Sequence, residues 1–348
     1  MTGITDSGTA RDQRSASDTS PLDTLPLDRL PLGTSSLGHG GVQAAILHDG
    51  ALFQQAELRD WFALLKPRVL TLVVFTGLIG LLVAPGHLNP ILAFTAVLCI
   101  TVAAGACGAI NMWYDRDIDA LMRRTRNRPI PAGRIAPGEA LGFGITLAVA
   151  AVIMMGLAIN VAAASILGLS VCFYVFVYTM WLKRRTPQNI VIGGAAGAFP
   201  AVIGWAAVTG SVDLVPLILF AIVFFWTPPH FWSLALWAND DYRRANVPML
   251  PVVAGAKETR RQIVLYSLLL VPLSLAPWAI GFSGIIYALA AAVLGAGFLV
   301  CVWRVARDQQ DPSGVSLTND APARAAFKYS IIYLFVLFAA LAVDRLAG

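Results

Sequence analysis

The sequence predicts an all-α, polytopic membrane protein with nine transmembrane helices, and three observations lead there. Of its 348 residues 57% are hydrophobic and only 13% charged, with a mean hydropathy of +0.70; a soluble domain carries about twice that share of charge. The charges are segregated, leaving apolar windows of roughly the 20 residues that a helix needs to cross a bilayer. Gly, Pro and small residues recur inside those windows, as close helix packing in lipid permits.

Residues 1–55 stand apart. They are rich in Ser, Thr, Gly, Pro and Asp without sustained apolar periodicity, so they are expected to form a disordered tail ahead of a membrane domain over 56–348. The tail has no apolar core of a signal peptide. Asp6, Asp12, Asp18, Asp23 and Asp28 do not suit a mitochondrial transit peptide, which is poor in acids. A bacterial inner membrane is the simplest home.

The spans are expected at 67–85, 90–112, 139–160, 162–182, 188–208, 213–236, 262–282, 284–303 and 327–346. Connections after the second, fourth, sixth and eighth spans hold the cations: Arg123, Arg124, Arg126, Arg128 and Arg134; Lys183, Arg184 and Arg185; Arg243, Arg244, Lys257, Arg260 and Arg261; Arg304, Arg307 and Arg324. The other connections are short and hold no Lys or Arg. By the positive-inside rule the N-terminus is cytoplasmic and Gly348 lies outside. This topology accounts for the net charge of +5, so nucleic-acid binding need not be invoked. Cys99, Cys107, Cys172 and Cys301 lie in apolar runs at no metal-ligand spacing and read as buried reduced thiols.

Two charged connections are long, 113–138 and 237–261. The first opens with Asn111, Asp115 and Asp119, spaced so that one amide and two carboxylates share a helical stripe, about 6 Å apart along the axis. Like charges at that spacing repel unless a cation lies between them. Oxygen donors without His or Cys suit a hard cation, above all Mg²⁺ shared with phosphate oxygens, and nearby arginines could hold the oxygens that the metal leaves. That describes a diphosphate clamp. The alternative is a juxtamembrane helix whose acids pair with Arg116, Arg123 and Arg124, with Asp117 paired or solvated off the stripe.

The second connection follows "FFWTPPHFWSLALWANDDYRR". Pro228-Pro229 are expected to break or kink the sixth span. His230 comes next, flanked by Trp226, Phe231 and Trp232, and Asp240 and Asp241 lie near the charged end. A histidine inside a span is either a hydrogen-bonded structural group or a residue beside a large flat or cationic ligand. Two acidic clusters at corresponding helix ends could hold metal on both sides of one diphosphate.

Asn111-x-x-x-Asp115-x-x-x-Asp119 with Arg126-Asn127-Arg128-Pro129 resembles the first signature of the UbiA-type intramembrane prenyltransferase superfamily. The resemblance implies nine helices around a central cavity, with two Asp-rich loops binding a prenyl diphosphate through Mg²⁺. "LLKPRV" from Leu64, "RTRNRPIPAGR" from Arg124, "TPQNIVIGGAAGAFP" from Thr186 and "WTPPHFWSLALWANDDYRRANVPMLP" from Trp226 are similar to the branch that farnesylates protohaem IX. One departure is Trp237, where many members carry the first Asp of a second Asp-x-x-x-Asp; the adjacent pair Asp240-Asp241 resembles the haem-specific form and leaves open which of the two faces the metal.

By that resemblance, Asn111, Asp115, Asp119, Asp240 and Asp241 are the metal set, and Asp115, Asp119, Asp241 and His230 the catalytic residues. Lys66, Arg68, Arg128 and Lys183 would meet diphosphate or haem propionates, or serve as ordinary positive-inside anchors. The implied partners are farnesyl diphosphate, protohaem IX, the lipid bilayer and the downstream haem A synthase. The implied reaction ionises an allylic C–O bond in an apolar cavity, where Trp226, Phe231, Trp232 and Tyr178 are candidates for an aromatic wall protecting the cation. His230 could ligate iron, orient the porphyrin or manage a proton. Rival readings are a prenyltransferase acting on a quinone or chlorin precursor, and a transporter or haem-handling protein without chemistry.

Overall fold

The computed structural model describes residues 56–312 and 314–347, apart from the side chains of Arg68 and Val69; the expected N-terminal tail lies outside them. A short helix α1 (Leu58–Leu64) precedes α2 (Pro67–Val83), α3 (Pro90–Tyr114), α4 (Arg116–Leu121) and α5 (Pro137–Ala158). Next comes α6 (Val161–Cys172), which continues as a π-helix over Phe173–Leu182, then α7 (Asn189–Thr209) and α8 (Leu214–Trp237). The short α9 (Asn239–Arg244) and α10 (Leu250–Val253) lead to α11 (Gly255–Leu273), α12 (Ala276–Ala279), α13 (Ile285–Ala306) and α14 (Ala321–Ala347). Among the described residues eight helical stretches are long and apolar enough to cross a membrane, and a shorter apolar stretch covers Leu70–Val83.

Local chemistry starts these helices. Pro67, Pro90 and Pro137 occupy first-turn positions that need no N–H. Asn89 caps α3 through the Ile91 amide, and Asn160 caps α6 through the Ala163 amide. The Asn160 amide also donates to the Ala206 and Ala207 carbonyls at 2.9 and 3.1 Å, fastening the start of α6 to the end of α7.

The helices close a ring: α3 packs on α2 and α5, α5 on α6, α6 on α7, α7 on α8, α8 on α11, α11 on α13, α13 on α14, and α14 returns to α2. α7 also crosses to α2 and is the most enclosed member, with 67% of its apolar window buried against 22% for α6 with its π-helical continuation. Small residues permit that crossing. A Cβ at Gly80 would strike the Ala201 carbonyl, and one at Gly204 the Gly77 carbonyl, so the two backbones touch as closely as lipid-embedded helices can.

Several expectations need correction. Of the expected break or kink at Pro228 and Pro229, the break does not occur: α8 runs through both, and both are buried. Packing within the bundle keeps the chain helical where lost backbone donors alone would end it. α11 and α14 begin at Gly255 and Ala321, each several residues before the hydropathy does, because their first turns are charged helix rather than loop. Cys99 and Cys107 are buried, but Cys172 is exposed and Cys301 partly so; all four are free thiols.

Candidate active site

The polar stripe survives a change of helix. α3 ends at Tyr114, yet the Asp115 amide bonds the Asn111 carbonyl at 2.9 Å and the Asp119 amide bonds the Asp115 carbonyl at 2.8 Å. Asn111, Asp115 and Asp119 therefore keep one face while the chain passes into α4. Asp115 and Asp119 are 0% and 1% exposed, so each must have compensation.

Basic residues from three other places supply it. The Lys66 amine donates to Asn111 Oδ1 at 2.6 Å, and Asn111 passes its own amide hydrogens to Asp115 Oδ2 at 2.8 Å and Thr179 Oγ1 at 3.1 Å. Lys183 pairs with Asp115, joined by Arg184 at 3.5 Å. Arg128 pairs with Asp119 Oδ2 at 2.6 Å. Asp119 Oδ1 is buried without a hydrogen-bond partner.

Lys66 reaches this cluster because of what surrounds it. A Cβ at Gly105 would press on Leu65 at 3.1 Å, and one at Gly108 on the Leu64 carbonyl at 3.1 Å and Lys66 Cδ at 3.5 Å, so these glycines let the turn after α1 lie on α3. Lys66 itself has φ +53° directly before Pro67, a backbone region costly for a residue with a Cβ and costlier before proline. Burial, with Arg128 and Lys183 nearby, pushes its amine down to about 7. Burial also works against charge at Lys183, but Asp115 overrides it and holds that amine above its ordinary value.

The second charged connection meets the first through Asp241, whose Oδ1 accepts the Arg123 amide at 3.3 Å while Arg244 pairs with the same carboxylate. Partial burial would raise the Asp241 pKa, but Arg244 and the Arg123 and Arg124 amides hold it below the ordinary value. Asp240 is exposed, so of the adjacent pair Asp241 is the one turned to the first loop. Asp117 pairs with Arg184 through two 2.7 Å contacts. The expected partners Arg116 and Arg124 do something else: Arg116 lies over Trp113 and Arg124 over Tyr242.

Below the cluster opens an apolar cavity of about 110 Å³ between α2, α3, the α6 helix and α7. Lys66 and Tyr174 line it, and Tyr174 faces Tyr178 at a centroid distance of 5.3 Å. Tyr178 covers the bare backbone of Gly193.

Trp226 and His230 are elsewhere. They do not line this cavity. His230 is stacked between Trp226 and Phe327, at 4.2 and 4.5 Å, and its Nδ1 meets Ser330 Oγ at 2.7 Å. Trp226 donates to the Ser330 carbonyl at 2.8 Å, and Trp232 packs edge-on against Tyr266. Trp226 and Trp232, expected in the aromatic wall, join α8 to α14 and α11 along a seam, and Tyr174 is the aromatic ring that lines the cavity. Trp237 also serves the seam, with Phe327 at its edge and Arg324 over its ring. The Arg68 side chain falls outside the described residues.

Thr179, Arg184 and Tyr174 belong to this site and have no signature in the sequence. The signal for Thr179 and Tyr174 is conformational, since the π-helix that aims them has no residue motif.

The UbiA prenyltransferase family model matches residues 73–332. The chain is 70% identical over 290 residues to a protein of Granulibacter bethesdensis named protoheme IX farnesyltransferase, covering 83% of this chain and 92% of that one. It is 64% identical over 307 residues to the protein of the same name from Acidiphilium cryptum, covering 87% and 97%. Among solved structures, a digeranylgeranylglyceryl phosphate synthase has a TM-score of 0.68 at 20% identity, covering 84% of this chain and 99% of that one. A UbiA homologue from Archaeoglobus fulgidus bound to DMAPP and Mg²⁺ has a TM-score of 0.59 at 17% identity, covering 82% and 99%. The fold is that of membrane prenyltransferases, and the chain belongs to the UbiA prenyltransferase family.

Proposed function

We propose that this protein transfers the farnesyl group of farnesyl diphosphate to the vinyl side chain of protohaem IX, with a water-derived hydroxyl, to give haem O. The observation that carries this reading is the alternation of cations and oxygens, Lys66 to Asn111 to Asp115 to Lys183 and Asp119 to Arg128, at the head of an apolar cavity. The acceptor is inferred from the two bacterial relatives named for that reaction. With the shorter Leu70–Val83 stretch counted as a ninth span, the positive-inside rule would put the charged connections on the cytoplasmic side of a bacterial inner membrane, and the product would pass to a haem A synthase.

The donor set fits Mg²⁺. Among the described residues no three His, Cys, Asp or Glu side chains gather into a metal cage. Mg²⁺ asks for less, one or two carboxylates with water and phosphate oxygens completing its shell, and Asp119 Oδ1 is a buried acceptor with no other partner. Asp115 and Asp119 would hold it, with Asn111 and Asp241 beside them. When bound, it supplies charge stabilisation to the departing diphosphate.

The chain's own residues do the rest. Lys66, Lys183 and Arg128 would exchange their carboxylate and amide partners for diphosphate oxygens, stabilising charge that develops as the C1–O bond breaks and its electrons leave with diphosphate. The Tyr174 ring, which lines the cavity, would offer its negative face to the farnesyl cation. The vinyl carbon then bonds to C1, and the resulting cation beside the pyrrole takes up water and releases a proton. No protein nucleophile is needed.

The test is protein in lipid nanodiscs given haem, farnesyl diphosphate and Mg²⁺, with products resolved by mass, beside Asp115→Asn and EDTA arms. A haem heavier by one farnesyl and one water, lost in both controls, is expected. Haem bound but unchanged in every arm would overturn the reading in favour of a haem carrier.

A further inference from the structure

Along the shaft of the cavity below the polar cluster, α3 and α7 present Ala103, Ala104, Gly108, Ala196 and Gly197, side chains that take almost no room, while α2 and α6 contribute the larger Leu70, Val73 and Val171. On each of three helices the lining residue farthest from the polar cluster is large: Ile100 on α3, Leu167 on α6 and Ile203 on α7. α3 and α6 run toward the charged end and α7 runs away from it, and the three bring these side chains into one cluster. They are 2%, 3% and 1% exposed and belong to one buried apolar cluster with Met155, Ala163 and Ala206. The shaft is therefore closed by packed core.

Its depth can be counted along α3. Ile100 lies eleven residues before Asn111, which at 1.5 Å per residue is about 16 Å. A prenyl chain lengthens by roughly 5 Å per five-carbon unit from ordinary carbon–carbon bond lengths, so three units fill about 15 Å and four need about 20 Å. A chain whose diphosphate is held at Lys66 and Asn111 would meet the floor as its third unit ends.

We propose that Ile100, Leu167 and Ile203 are specificity-determining residues that set the prenyl chain at fifteen carbons. The inference rests on the reading of the polar cluster as a prenyl diphosphate site, though not on haem as acceptor. Shaft residues Ala104 and Ala196 are the complementary handle: widening them to Leu raises the floor without touching the core beneath, whereas cutting Ile203 or Leu167 to Ala lowers it.

Protein in nanodiscs with Mg²⁺ is offered geranyl, farnesyl and geranylgeranyl diphosphates with haem, and kcat/KM is compared for each. In parallel, the unreactive thiodiphosphate analogues of the three chains are ranked by the rise in Tm they cause, which needs no acceptor. The native protein is expected to prefer fifteen carbons to twenty by tenfold or more in both readouts. Ile203→Ala and Leu167→Ala should raise the twenty-to-fifteen ratio at least tenfold while leaving geranyl unchanged. Ala196→Leu should do the reverse, losing farnesyl tenfold and keeping geranyl, and this variant protects the test against a collapsed floor. Equal preference for fifteen and twenty carbons in the native protein, or ratios unmoved in all three variants, overturns the proposal. A length ranking by Tm without any haem product would sink the haem reaction and leave the floor standing.

Discussion

Two regions of this bundle bury polar groups in an apolar surrounding and do opposite things with them. At the charged end, Asp115 and Asp119 face Lys183, Arg184 and Arg128 across helices, one carboxylate oxygen is left unpartnered, and a cavity opens alongside. At the α8–α14 seam, His230 is held between two ring planes and its hydrogen bond is used inside the protein. Ser330 gives its hydroxyl hydrogen to the Phe327 carbonyl at 2.7 Å, which leaves His230 Nδ1 as the donor to Ser330 Oγ. What separates the two regions is the cavity: the charged cluster stands at its head, and His230 does not line it.

The sharpest way to break the comparison is Asp115→Asn. It removes the counter-charge of Lys183 and one metal-set carboxylate, and turnover should fall on the order of 10³-fold. Haem product formation by mass would show it, with circular dichroism checking that the helices persist. Arg128→Gln comes next, with KM for the prenyl diphosphate raised on the order of 10²-fold, since a charge-assisted contact in a shielded site is lost.

The seam should respond differently. His230→Phe keeps a stacked ring but loses the bond to Ser330, so stability should fall by about 1–3 kcal/mol while kcat/KM stays within tenfold. Thermal unfolding read beside turnover separates these effects. A loss matching that of Asp115→Asn would move His230 into the reacting site and erase the distinction. The smallest effect concerns pH. The Lys66 amine is charged below about 7 and neutral above it, and only the charged form attracts diphosphate. Hence kcat/KM for the prenyl diphosphate should decline as pH rises through about 7, by no more than about tenfold per unit. In Lys66→Met that limb should flatten.

The legible part of this site was the part carried by chain periodicity. Asn111, Asp115 and Asp119 could be found because their spacing stays helical across the junction at Asp115. Lys66, Arg128 and Lys183 were nameable only by resemblance, because nothing in a run such as "LLKPRV" says that two glycines on another helix will let it lie close. For His230 the limit lies on the other side: its isolation in an apolar segment is visible, but its hydrogen-bond partner Ser330, a hundred residues later, is not. The prolines of α8 do not break it, because local backbone rules do not include the neighbours that hold the helix together. Hydropathy found the spans and blurred their ends wherever the first turns were charged, as in α11.

The π-helical stretch Phe173–Leu182 has a consequence for how this segment can change. A π-helix closes its bonds five residues apart, as in the 2.9 Å bond from the Lys183 amide to the Tyr178 carbonyl, and turns in roughly 4.4 residues rather than 3.6. Tyr174 and Lys183 are nine residues apart, about two turns of the wide helix but two and a half of an ordinary one. Only the wide winding sets the cavity ring and the Asp115 partner on one flank. The segment can therefore drift in composition over generations far more freely than in length: losing a single residue there would turn Lys183 away from Asp115 while leaving every neighbouring side chain chemically unaltered.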